Sequence, residues 1–110
     1  MTDNELLELS AKAAGYEPAR MADDDSGLLL RGAQEPWNPL EDDGDAFRLA
    51  VCLGFEVRMQ NHLDRSHVVT TKPLRSWFTA PHNDDPYAAT RRAIVRAAAE
   101  IGKMMEGGDV

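Results

Sequence analysis

The chain has 110 residues, 43% hydrophobic and 28% charged, a composition that fits one soluble domain over 1–110 and excludes a disordered chain. Its net charge of −7 argues against general phosphate-backbone binding, which needs clustered Lys and Arg. Residues 1–55 carry twelve acids and four bases and residues 56–110 seven acids and eight bases, so a small basic face in the second half stays open.

No apolar run approaches the ~20 residues that span a bilayer. The acidic start, M-T-D-N-E, lacks the basic and apolar regions of a signal peptide. A lone cysteine, Cys52, excludes an internal disulfide and fits a reducing compartment. The expectation is a cytoplasmic protein without a membrane partner.

Residues 2–14 read as a helix. Thr2 with Glu5 has the capping-box spacing, Leu6, Leu9 and Ala13 share a face widened by Leu7 and Ala14, and Gly15 is placed to end it. Glu8 and Lys12 stand four apart, as in a helix-surface ion pair. Residues 16–21 form a connection or edge strand, because Pro18 cannot donate to a central ladder. Asp23, Asp24, Asp25 and Gly27 make a solvated turn, and three adjacent Asp lack the alternate spacing of a calcium loop. Leu28, Leu29 and Leu30 follow as a short buried strand.

The chain is organised around residues 37–53. Pro36 and Pro39 restrict the backbone on either side of Trp37 and Asn38. An exposed indole there would anchor a partner, whereas an indole folded over the next helix would be core, the commoner arrangement. Glu41, Asp42, Asp43 and Asp45 then gather where a helix start offers free N–H groups, with Asp42 or Asp43 as N-cap. Ala46, Leu49, Ala50 and Leu53 fall on one face, and Phe47 and Val51 add a second row, which predicts cover on more than one side. Cys52 inside this helix reads as a small buried thiol.

Gly54 ends the helix and the period changes to two. Phe55, Val57 and Met59 point inward from one strand, residues 60–66 turn, and residues 67–71 return as an antiparallel partner. Pro73 interrupts, and residues 75–79 form a third strand. Asp85 caps a last helix with Pro86 at its first position, running to about Met105 before Gly107 and Gly108. Tyr87, Ile94, Ala98, Ile101 and Met105 track its inner face, with Ala97 and Met104 beside it. The whole reads as α+β, with a mostly antiparallel sheet, three helices, and the second and third helices on the sheet.

Motifs for chemistry are missing. His62, His67 and His82 have no Cys or His at zinc spacing, and no nucleophile elbow, Walker loop or dinucleotide fingerprint occurs. No metal or cofactor is implied, and a non-enzymatic protein is expected. A carboxylate- or metal-dependent enzyme remains the competing class; it needs two carboxylates and His62 or His82 converging in one pocket. A second alternative is nucleic-acid binding through Arg91, Arg92 and Arg96. Pairing of these arginines with the acidic first half, within the chain or across a homo-oligomer, is the simpler use of their charge.

W-N-P-L-E-D-D-G-D-A-F-R-L-A over 37–50 and D-P-Y-A-A-T-R-R-A-I-V-R-A-A-A-E-I-G over 85–102 resemble small proteins of tailed bacteriophages and prophages, in the phage ABA-sandwich domain family. The order of a helix ending near A-A-G-Y, a Trp-Pro loop, an Asp-Ala helix, a hairpin and an Ala-rich helix is similar too. The resemblance implies a sheet layered between helices in a phage protein of unknown function, and it implies no catalytic residues. The expected function is an accessory module in the bacterial host that binds a host or phage macromolecule. Its expected surface is Trp37, Asn38, Asp42, Asp43 and Asp45, with mimicry of nucleic-acid phosphates as a sharper variant.

Overall fold

Local sequence signals set most element ends. In the computed structural model, which describes residues 1–70 and 75–107, the order is α1 (Asp3–Ala13), β1 (Pro18–Met21), β2 (Leu28–Leu30), α2 (Asp43–Leu53), β3 (Glu56–Gln60), β4 (Arg65–Val69), β5 (Trp77–Pro81) and α3 (Pro86–Gly107). The fold is α+β, with three helices and two small antiparallel sheets, β1-β2 and β3-β4-β5. The break predicted at Pro73, the strand end at Thr71 and the stop at Gly108 lie outside the described residues.

Thr2 and Glu5 close a capping box, each side chain accepting from the other's backbone N–H at 3.2 Å. Asp42 caps α2 by accepting from Asp45 N at 2.7 Å, and Asp85 caps α3 by accepting from Ala88 N at 3.0 Å. Beyond α2, Gly54 takes the left-handed conformation at φ 69°. The predicted hairpin is present, with Glu56 opposite Val69 and Gln60 opposite Arg65. Its second strand begins two residues earlier than the pattern placed it, because a short 3-10 turn at Asn61–Leu63 and left-handed Asp64 close the connection early, and the third strand begins two residues later.

Helix α3 is the hub. It packs against α1, α2, β4 and β5. Ala93, Val95, Ala97, Ala98 and Ala99 are fully buried, so several of its faces are covered, not one. Small side chains allow this: neighbours approach the helix backbone from opposite sides. Gly102 shows the closest case, since a Cβ there would collide with the carbonyl of Leu9 in α1. The predicted inner face holds at Ile94 and Ala98, but Tyr87, Met104 and Met105 project into solvent beyond the packed neighbours.

Other packing expectations are corrected. Helix α2 packs on α3 and not on the three-stranded sheet. It buries Ala46, Leu49 and Ala50, but Phe47 and Val51 are 69% and 64% exposed, and Cys52 is exposed with Sγ 3.8 Å from the Ala14 carbonyl. Ser10 and Ala11, not Ala13, complete the buried face of α1 with Leu6 and Leu7. Met59 is 62% exposed near the end of the edge strand β3, whereas Val57 on the same face packs against the core. Lys12 bridges to Glu106 of α3 at 3.0 Å in place of Glu8, tying the two helices together.

Candidate functional site

The residues around Trp37 form a knot between two loops and two helices. Trp37 exchanges backbone hydrogen bonds with Leu28 (2.8 and 2.9 Å), and its ring meets Tyr16 edge-on at 5.5 Å. This requires Gly27: a Cβ there would fall 2.7 Å from the Trp37 carbonyl oxygen, at a φ of 145° that side chains disfavour. The indole is 7% exposed. Trp37 is therefore core, the commoner of the two arrangements expected for it, and its place in the candidate contact surface is corrected. Fixed φ at its flanking prolines leads the chain inward, where burying the ring is worth about 3 kcal/mol.

Asn38 and the carboxylates hold this knot to α2 and α3. Asp45 accepts from Asn38 N at 3.0 Å and from Arg48 at 2.8 Å, while the Asn38 side chain bonds Ser26 O and Leu40 N. The Asp45 hydrogen bond raises the pKa of Arg48 above its ordinary value. Asp43 pairs with Arg91 of α3 at 2.6 Å, and Arg91 also donates to Leu40 O at 2.8 Å. Each of Asp42, Asp43 and Asp45 thus has a partner within the chain. Between them lies an open polar cleft of about 520 Å³, where Glu35 and Glu41 join Asn38, Asp42, Asp45 and Arg48.

The basic cluster disperses in the same way. Arg91 pairs with Asp43 and Arg92 with Asp3 at 3.2 Å, the predicted pairing with the acidic half, made within the chain. Arg96 is exposed and makes no ion pair among the described residues. No histidine lines the acidic cleft. Among the described residues, no three His, Cys, Asp or Glu side chains come together where they could hold a metal ion. No helix among them is long and apolar enough to cross a membrane.

A constellation missed in the sequence lies under the sheet. His82 is buried, with Nε2 2.8 Å from Ser66 Oγ and Nδ1 3.6 Å from Asp64 Oδ1. The order Asp-His-Ser is that of a hydrolase triad, so the protons decide its meaning. Thr90 Oγ1 donates to the Pro86 carbonyl at 2.8 Å, which can only accept. Its one hydrogen is thereby used, and Ser66 must donate to Thr90 Oγ1 across 2.7 Å. His82 Nε2–H then donates to Ser66 Oγ. The proton runs from histidine to serine, opposite to what an attacking serine needs, and Ser66 is fully buried. The chain His82–Ser66–Thr90 is a polar clamp joining β4, the end of β5 and α3, and the His82 backbone N–H donates to the Asp64 carbonyl at 2.8 Å. Ser66, His82 and Thr90 are far apart in sequence and match no motif; the pairing of Ser66 with Ala80 across the sheet is what brings His82 close.

His62 lies in the exposed 3-10 turn, and Asp64 turns to His82 instead of to it. No family model matches this sequence, and it matches no curated protein and no solved structure.

Proposed function

We propose that this chain is a non-enzymatic accessory protein of a tailed phage or prophage, acting in the bacterial cytoplasm by binding a host or phage protein. The observation that supports this most is the outer side of α2. Phe47 and Val51, one turn apart and both largely exposed, stand beside the acidic start of the helix and its cleft. Leaving two large apolar side chains in water on a helix that had a covered face available is the pattern of a contact surface. The matching partner surface has an apolar socket rimmed by basic groups. Trp37 supports this surface from below. The phage context rests on the resemblance of residues 37–50 and 85–102.

The test is affinity capture from host lysate with wild type, with Phe47→Ser plus Val51→Ser, and with Glu35→Gln plus Glu41→Gln. All sites are exposed, so melting should stay within about 1 kcal/mol of wild type. Loss of a captured protein with the apolar pair, and a salt-sensitive weakening with the acidic pair, are expected. Capture of the same proteins by every variant would remove the α2 surface from consideration. If the captured species is the chain itself, gel filtration of the apolar double variant reports loss of a homo-oligomer.

A further inference from the structure

We infer that the outer face of the β3-β4-β5 sheet binds single-stranded nucleic acid, with one base stacked on Trp77. The strand register defines this face. Glu56, Val69 and Trp77 form one row, and Arg58, His67 and Thr79 the next. Gln60, Arg65 and Pro81 make a third row, successive rows lying about 7 Å apart along the strands. Residues between these rows (Ser66, Val68, Ala80) are buried on the side where α3 packs. The outer rows stay open, and Trp77 is 59% exposed.

The indole is held in place. The Arg58 guanidinium lies over the ring, 5.5 Å from its centroid, and His67 meets it edge-on at 5.7 Å. Thr79 Oγ1 fixes His67 through Nδ1 at 2.7 Å, and Glu56 fixes Arg58 through Nε at 2.6 Å. The two terminal nitrogens of Arg58 make no hydrogen bond among the described residues. A positioned, solvated indole with a guanidinium beside it is a stacking platform with a charge for the adjoining phosphate.

Charge selects the occupant. Arg58 and Arg65 lie on this face against one carboxylate, Glu56. This is the reverse of a chain whose net charge is −7. The face therefore complements an anionic strand with planar groups. A base on Trp77 with phosphates at Arg58 and Arg65 uses each of these side chains. Duplex fits less well, because its bases are stacked on one another and unavailable to the indole.

The test is fluorescence anisotropy with a labelled oligothymidylate of about 12 nucleotides, within the usual footprint of single-strand binders. Wild-type binding should weaken steeply as salt rises from about 50 to 200 mM. Trp77→Ala should bind about 10-fold more weakly, with Trp77→Phe recovering most of the loss. Arg58→Gln should reduce both affinity and salt dependence, and Phe47→Ser plus Val51→Ser should change nothing, which separates this face from the α2 surface. No binding at about 50 mM salt overturns the proposal. So does equal binding of duplex or polyglutamate that Trp77→Ala leaves unaltered, since that reports charge attraction without stacking.

Discussion

The two sides of α3 are closed by different means. Toward α1 the contact is backbone against backbone at Gly102 and Leu9, reinforced by Lys12–Glu106 and by Arg92–Asp3. Toward the sheet it is apolar, through Val68 and Ala80, but crossed by the polar clamp of His82, Ser66 and Thr90. One more layer out, the sheet has its open face with Trp77. Packing on the first side leaves no room for change and hydrogen bonding on the second ties strand to helix, whereas the third surface has no helix over it and leaves the Trp77 indole partly solvated.

Gly102→Ala tests the first side most severely. In an ordinary helix this change stabilises by about 1 kcal/mol. Here the new methyl meets the Leu9 carbonyl, and the expected result is destabilisation of about 3 kcal/mol, read by urea denaturation. A neutral or stabilising result would show that α1 can move away freely, erasing the contrast.

Ser66→Ala probes the clamp. It leaves the His82 Nε2–H without an acceptor and Thr90 without its donor, for an expected loss of about 2 kcal/mol. The ¹⁵N shifts of His82 should report the Nε2–H tautomer for the neutral ring. The Nδ1–H tautomer would reverse the proton order and reopen Ser66 as a hydroxyl directed at a base.

Trp77→Ala should cost under about 1 kcal/mol, because its ring is largely solvated. A loss as large as that of a buried tryptophan would mean the outer face is structural.

The smallest effect concerns the start of α1. Hydrogen bonds from the Thr2 backbone and then its side chain lower the Glu5 pKa below its ordinary 4.5. The cap is thus fully present above 4.5 and is lost as pH falls through the lowered value. Hydrogen exchange of the first-turn amides of α1 should quicken in that acid range, and Glu5→Gln should abolish the pH dependence.

What was legible in the sequence is what neighbours in the chain decide. Thr2 with Glu5, Asp42, Gly54 and Asp85 with Pro86 act within a turn of their own position, and alternation across 55–59 suffices for the hairpin. Which apolar row meets another element is a property of the assembled fold. Phe47 and Val51 have the spacing of a buried row, but α3 approaches α2 from the Ala46–Leu49–Ala50 side alone. Lys12 likewise chooses Glu106 over Glu8 because α1 lies along α3. The two tryptophans carry the same lesson. Trp37 stood out for its prolines and its acidic neighbours, yet those features lead it into the core. Trp77 had no flanking signal, and its exposure follows from strand parity relative to α3.

The meeting of α1 with α3 also bears on how the chain acquires its structure. An isolated helix of 11 residues is marginal in water. The surface that stabilises α1 is supplied by residues near the other end of the sequence, so on the ribosome α1 emerges long before its support. Its docking closes contacts of high sequence separation and is expected to follow organisation of the hairpin with the start of α3.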